Sequence, residues 1–404
     1  MSLLPVEEAL ARLLTAALPI AETEAVSLHE ANGRVLAADL TSRLTQPPFD
    51  ASAMDGYALR AADAAEIGSV LTVIGESAAG HGYSGQVGPG ETVRIFTGAP
   101  VPDDADSILL QEDAEKLDDD RIRTTFRVTL GRHIRPRGQD FAEGDTGLAA
   151  GTRLDFSHLT LAAAMNHATL PVFRRPRIAI LATGDELVSP GTARGPSQII
   201  GSNTFGIAAL ARDSDAEVID LGIVPDDRGL LLQAVESVRR SGVDVLVTLG
   251  GASVGDHDLV QSTLVSAGME LDFWRIAMRP GKPLMVGRLG EMQVMGLPGN
   301  PISSLVCGLL FLEPLLCQLG HQRPRRRMAM ARSSKALPPN DKRQDYVRAR
   351  LVADGGEIPT VESFGKQDSS MMRIFSQSDC LIVRPPNAPA VEAGDTVPVL
   401  LLRP

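Results

Sequence analysis

Residues 177–187, RIAILATGDEL, decide the reading of this chain. The run Arg177–Leu181 (RIAIL) is too short for a helix and, after its arginine, apolar on both faces, so it reads as a buried strand. It empties into Thr183-Gly184-Asp185-Glu186, a loop of polar and small residues. Two more runs have the same character, Glu217–Gly222 (EVIDLG) and Val243–Leu249 (VDVLVTL). Helical patterns at Asn203–Arg212, Arg228–Arg240 and His257–Ala267 alternate with them, which predicts parallel βαβ units with helices on both faces. Leu271–Met295 reads as hairpins around Arg279-Pro-Gly-Lys-Pro283. Val294–Leu297 then passes through Pro298-Gly-Asn-Pro301 into a long apolar helix, Ile302–Leu319. A doubly wound α/β domain is therefore expected over 174–325.

Outward from this centre the texture changes. Val6, Ala9, Leu10, Leu13 and Leu14 fall at helical spacing beside Glu7 and Glu8, which predicts an amphipathic helix and not a signal peptide. Residues 46–140 carry short β-like runs, among them Val70–Ile74, Thr92–Phe96, Ser107–Gln111 and Ile122–Val128, punctuated by Gly, Pro and Asp. Helix returns at His158–Asn166, so this β-rich module is expected as an insertion in a discontinuous N-terminal domain, 1–45 with 141–173. His321–Arg327 (HQRPRRR) reads as a solvated, proline-broken linker. Tyr346–Val352, Leu381–Val383 and Val397–Leu402 predict a small β domain over 326–404. The class is multidomain α/β and β.

Of 404 residues, 39 are Lys or Arg and 50 Asp or Glu, a net charge of −11 that repels nucleic acid and anionic membranes. Aromatics are only 4 %, against a stacking platform for single strands. No unbroken apolar run reaches membrane-spanning length. Cys307, Cys317 and Cys380 lack metal or redox spacing and read as reduced thiols, and a cytoplasmic location with neither nucleic acid nor membrane as partner is expected. Gly80–Gly85 matches a dinucleotide fingerprint without a following helix, and Gly85–Thr92 has P-loop spacing with Glu91 in place of the lysine. Both are read as turns.

The loops that follow the parallel strands carry the chemistry, because open α/β sheets bind ligands at those ends. They are Thr183–Glu186, Pro225-Asp226-Asp227, Gly250-Gly251-Ala252-Ser253-Val254-Gly255-Asp256-His257-Asp258, and Pro298-Gly299-Asn300-Pro301. Glycine-rich backbone cradles oxyanions, while the neighbouring carboxylates would repel them unless a Mg²⁺-like ion bridges the two. Asp226 and Asp256 also precede helices and fit equally as caps. Arg279-Pro-Gly-Lys282-Pro is a rigid turn able to aim two cations, and Arg135-Pro-Arg-Gly-Gln139-Asp140 has the same character. Ser52–Ala58 (SAMDGYA) and Thr97–Pro100 (TGAP) are, on physics alone, turns. The residues thus point to an α/β domain that binds an anionic, phosphorylated ligand with metal help.

SAMDGYA, TGAP, ATGDEL, GGASVGDHD, PGKP and GLPGNP stand in an order and spacing that resembles the molybdopterin molybdenumtransferases, MoeA in bacteria, together with the E domains of gephyrin and its plant counterpart. The resemblance covers essentially the whole chain. It implies a MoeA-like elongated subunit with a central molybdopterin-binding α/β domain, an inserted β-rich domain and a C-terminal β barrel. It also implies a homodimer that shares its active site. The implied reaction inserts molybdate into adenylylated molybdopterin with release of AMP, in Mg²⁺. Carried over to this sequence, Asp55, Asp140, Glu186, Asp226 and Asp258 would be the catalytic carboxylates, with Glu186, Asp226 and Asp258 at the metal. Thr97, Thr183, Gly184, Asp185, Gly250, Gly251, Ser253, Gly255, Pro298, Gly299, Asn300 and Pro301 would hold the molybdopterin substrate. Arg275, Arg279, Lys282, Arg348 and Ser369 would hold molybdate.

Arg275 and Arg279 stand where the family usually has lysine, keeping charge but not shape, and Gln139 replaces a glutamate. Retention of Asp55, Glu186, Asp258 and Lys282 favours an active enzyme. The alternatives are a non-catalytic scaffold of the gephyrin type that binds a partner peptide, and the adenylyltransferase that acts one step earlier and is itself a candidate partner.

Overall fold

In the computed structural model, residues 3–118, 120–250, 259–352 and 357–403 are described. Arg177–Thr183 is a strand with parallel neighbours on both sides, Glu217–Val224 and Val245–Leu249. Met292–Leu297 joins Val245–Leu249 in parallel, and Met285–Leu289 and Glu270–Phe273 extend the sheet antiparallel to six strands. The two faces follow from period-2 alternation along each strand. Ile178, Ile180, Ala182, Val245 and Val247 pack into one core with Ile207, Val306, Phe311 and Leu316. Ala179, Leu181 and Leu246 pack into the opposite core with Leu231, Val235, Val260 and Leu264. The expected doubly wound arrangement is present, and the direction in which successive strands are added reverses between the parallel strands Arg177–Thr183 and Val245–Leu249.

By contacts the chain divides into two units, Met1–Glu24 with Phe173–Pro404, and Ala25–Val172. The amphipathic helix Val6–Ala16 belongs to the first, where Val6, Ala9 and Leu13 enter the same core as Ile178. The long helix runs from Pro301 to Leu319 in three pieces, α over Pro301–Cys307, π over Gly308–Leu312 and α over Glu313–Leu319. Pro314 has no N–H to offer the Leu310 carbonyl, and the wider π turn absorbs that missing bond. At 19 residues this helix is long and apolar enough to cross a bilayer, yet Val306, Phe311, Leu312, Leu315 and Leu316 are fully buried in the core of the α/β domain.

The linker reading of His321–Arg327 needs correction at both ends. His321 stacks on Phe173 with ring centroids 3.6 Å apart. Arg327 is 7 % exposed and pairs with Glu313, itself 3 % exposed, at 2.8 Å, while donating to the Leu401 and Leu402 carbonyls. This buried pair ties the long helix to the last barrel strand. The barrel closes over Gln344–Val352, Thr360–Ser363, Met328–Ser333, Thr396–Leu401 and Cys380–Arg384, the first strand also pairing with the last named. Met278–Arg279 adds to its outside in parallel, Met278 opposite Gln344 and Arg279 opposite Asp345.

In the second unit, Ser107–Leu110, Gly56–Leu59, Glu91–Ile95, Val70–Ser77, Arg121–Thr124 and Ala114–Asp118 form a six-stranded sheet in that spatial order. Helix Phe156–Ala164 starts at a capping box, in which Asp155 accepts from the Ser157 and His158 amides and His158 returns a bond to the Asp155 amide. Both elements match the expected β-rich module and returning helix.

Candidate active site

Three loops meet at the carboxyl ends of the central strands, beside the point where the strand order reverses, which is where open α/β sheets bind ligands. Gly184 has φ +145°, and a Cβ there would lie 2.5 Å from Glu186 Oε2. Only glycine lets the Glu186 carboxylate fold back over this turn. Gly250 has φ +97°, its amide donates to the Leu297 carbonyl at 3.3 Å, and a Cβ would lie 2.8 Å from the Thr183 carbonyl oxygen. A Cβ on Gly299 would in turn be 3.8 Å from the Gly250 Cα. The Gly250 loop thus touches both the Gly184 and the Gly299 loops. Gly250→Ala is expected to destabilise the larger unit by about 1–3 kcal/mol, from left-handed strain and the clash with Thr183. Thermal unfolding of the variant checks this, and an unchanged midpoint contradicts it.

Asn300 precedes the long helix in extended conformation, Pro301 occupies its first turn, and Asn203 Nδ2 donates to the Gly299 carbonyl at 2.8 Å. The helix therefore points its amino end at the glycine loops, a polarity that favours anions. The Ile302 amide donates to the Ser369 carbonyl at 3.2 Å, which places Ser369 at the same helix start. Thr183, Thr248 and Ser304 bury hydroxyls that have no protein partner among the described residues.

The acidic groups crowd beside this crown. Asp227, not Asp226, caps helix Arg228–Arg240, its Oδ1 accepting from the Leu230 amide at 2.8 Å. Asp226 is thereby left uncommitted as a cap. Its amide donates to Asp185 Oδ1 at 3.1 Å, and burial, with the Asp185 and Glu186 charges after it, pushes its carboxyl above the ordinary range. Among the described residues no three His, Cys, Asp or Glu side chains converge in ready-made metal geometry. Gly251, Ser253, Gly255 and Asp258 lie outside the described residues.

The expected oxyanion residues separate into different places. Arg275 and Lys282 share one cavity. Arg279 lines another cleft and binds both oxygens of Asp345, with Asp341 at 3.4 Å. Arg348 is 1 % exposed, and its guanidinium donates to Gln367 Oε1 at 3.1 Å and the Asp368 carbonyl at 2.9 Å. It thus holds the loop that carries Ser369. The carboxylates that take up Arg279 were not singled out in the sequence. The only signal was the charged run Asp341-Lys-Arg-Gln-Asp345 before a strand.

The second unit gathers its own candidates. Ala51–Ser52 pairs with Ile134–Arg135, Ser52 exchanges bonds with Gly98 and Ala99, and the Asp140 amide donates to the Gln46 carbonyl. SAMDGYA, TGAP and RPRGQD therefore form one corner. Asp55 Oδ1 accepts from both the Thr97 amide and the Thr97 hydroxyl at 2.7 Å. These bonds, the amide first, hold its carboxyl below the ordinary range, with Arg94 adding to the effect. Arg94 is itself fixed by the Gly56 carbonyl, Gln111 and the faces of Tyr57 and Phe96. Asp140, Gln139, Arg135, Gln46 and Pro47 line a depression of about 370 Å³.

Comparison with known proteins agrees along the whole chain. Residues 4–166 match the MoeA N-terminal region (domain I and II), 179–318 a probable molybdopterin binding domain, and 330–402 the MoeA C-terminal region (domain IV). The molybdopterin molybdenumtransferase of Haemophilus influenzae is 34 % identical over 94 % of this chain and 93 % of its own. That of Nostoc sp. is also 34 % identical, over 94 % and 89 %. The crystal structure of the molybdopterin biosynthesis MoeA protein from Pyrococcus horikosii superposes with a TM-score of 0.85 at 30 % identity, covering 100 % of both chains.

Proposed function

Since the chain belongs to the molybdopterin molybdenumtransferase family and so serves molybdenum cofactor biosynthesis, we propose that it inserts molybdate into adenylylated molybdopterin and releases AMP in a Mg²⁺-dependent step. The observation that carries this reading is the meeting of the Gly184, Gly250 and Gly299 loops at the amino end of the long helix, beside crowded carboxylates. Backbone amides and helix polarity there suit the phosphate end of the substrate.

Glu186 and Asp226 would supply oxygen donors of the kind a hard divalent cation prefers, and Asp226 is already crowded by Asp185 and Glu186. Mg²⁺ commonly completes its shell with water and substrate phosphate, so a full protein cage is not required. When bound, the ion would shield phosphate charge and acidify a water. The side chains of Glu186 and Asp226 would orient a water toward phosphorus. Held by these two carboxylates, that water gives its proton to Asp226 and its oxygen forms the new P–O bond. The bridging P–O bond of the pyrophosphate breaks with its electron pair on the leaving phosphate oxygen, so AMP and the molybdopterin phosphate part. Asp258 is assigned to the same acidic group by resemblance alone. By resemblance, Asp55, whose carboxyl Thr97 holds below the ordinary range, and Asp140 would be supplied by the partner in a homodimer. Three buried thiols suit a reducing, cytoplasmic setting.

The test is AMP release from adenylylated molybdopterin with molybdate and Mg²⁺ supplied or withheld. Release that needs both is the expected result. Tight binding without release would replace this reading with a scaffold role, and ATP consumption with molybdopterin would replace it with the preceding adenylylation.

A further inference from the structure

Residues 364–369, which follow the barrel strand Thr360–Ser363, are fastened to the strand Gln344–Val352 by Gln367. Its Oε1 accepts from the Arg348 amide at 2.9 Å and from Arg348 Nε at 3.1 Å. Its Nε2 donates to the Arg348 carbonyl at 3.1 Å and to the Phe364 carbonyl at 2.7 Å. Both acceptor positions and both hydrogens of the side-chain amide are therefore used. Turning the amide over would set its NH2 against two donors and its oxygen against two carbonyls. The site demands an amide in this one orientation.

Arg348 itself is 1 % exposed, and among the described residues no ion pair engages it. The two carboxylates close enough to act on it are committed elsewhere. Asp345 takes Arg279 with both oxygens, and Asp368 Oδ1 accepts from the Ser370 amide at 2.8 Å and the Ser370 hydroxyl at 2.6 Å. Burial accordingly draws Arg348 below the ordinary guanidinium range, with Asp368 and Asp345 opposing it. Nη1 donates to the Asp368 carbonyl at 2.9 Å, and Nη2 makes no protein hydrogen bond among the described residues. Arg327 shows the other way to bury this group, since Glu313 neutralises it. A buried guanidinium met only by neutral dipoles costs free energy and keeps its charge for an incoming anion.

We propose that Gln367 is a positioning residue for the reaction, holding the Arg348 guanidinium in one orientation and un-neutralised beside Ser369. That an anionic group of the substrate reaches Arg348 rests on the function proposed above. The requirement is for a neutral amide. Glutamate has the same size, but it would pair with the guanidinium and set an oxygen against the Arg348 and Phe364 carbonyls. Methionine keeps the length, removes all four bonds and leaves the charge of Arg348 free.

Gln367 is exposed at the loop surface, so substitutions there leave the cores intact. Gln367→Glu should raise the molybdate KM for AMP release about tenfold or more, with kcat changed far less. Gln367→Met should fall between it and wild type. Arg348→Gln should match Gln367→Glu, and the double variant should be no worse than Arg348→Gln alone, because Gln367 acts through Arg348. Gln233→Glu, the same charge change at an exposed position of helix Arg228–Arg240, should leave KM unchanged. A wild-type KM in Gln367→Glu overturns the proposal, as do additive effects in the double variant or an equal shift in Gln233→Glu. Gln367→Met at least as impaired as Gln367→Glu overturns the need for an un-neutralised charge. Equilibrium dialysis of molybdate against the same proteins should give the same order without turnover. Wild type that retains molybdate where Gln367→Glu loses it, in a protein that never releases AMP, keeps the positioning role and sinks the proposed reaction. Molybdate-dependent AMP release with the same saturation in wild type and Gln367→Glu does the reverse.

Discussion

Glu313→Ala is expected to destabilise the larger unit by about 3–5 kcal/mol, because it leaves a buried guanidinium without its charge partner. Arg327 is 7 % exposed, and in the intact protein Glu313 and the Leu401 and Leu402 carbonyls surround it. The two carbonyls remain after the substitution, but they solvate a charge without neutralising it. Glu313→Leu with Arg327→Met removes both charges and keeps the volume, so it should recover most of the loss. Denaturant unfolding of wild type, both single variants and the double variant measures the coupling. A single variant within about 0.5 kcal/mol of wild type would show that water reaches the pair and that it contributes no more than a surface contact.

Asp226→Asn is expected to lower the rate of AMP release by about a hundredfold or more, the scale of losing a positioned acid–base group. The same substitution should leave the fold as stable as wild type near pH 7, or more stable. Burial, with Asp185 and Glu186 after it, raises the Asp226 carboxyl above its unfolded value. A raised carboxyl favours folding while it is protonated, and that contribution is lost as pH rises through the folded-state value. At neutral pH the wild-type protein therefore carries a repulsion that asparagine lacks. Below the ordinary carboxylate range both side chains are neutral and the stability difference should vanish. Melting temperatures of the two proteins across pH 3–8 give the comparison. A variant less stable at pH 7 and equally active would remove Asp226 from the site. Substitution of Thr97 by valine is a milder case, since Asp55 would lose the hydroxyl bond and keep the amide one.

The sequence by itself determined the α/β domain, because strand and helix periodicities are local and the apolar runs at Arg177–Thr183 and Val245–Leu249 are unambiguous. It also located the glycine loops and their neighbouring carboxylates, since loops after parallel strands fall on one edge of the sheet whatever their partners. The order and spacing of six motifs, from SAMDGYA to GLPGNP, pointed to the family. Partner choice was decided only by tertiary structure. Whether Asp226 or its neighbour caps a helix depends on where the turn starts, and the fold gives that role to Asp227. Arg279, Arg348 and Arg327 look alike as cations in the sequence. One pairs with Asp345 across 66 residues, one is buried against Gln367, and one neutralises Glu313 inside the core. A charge finds its lowest free energy beside whichever group the folded chain brings within a few ångströms, and that proximity is a property of packing that no local pattern encodes.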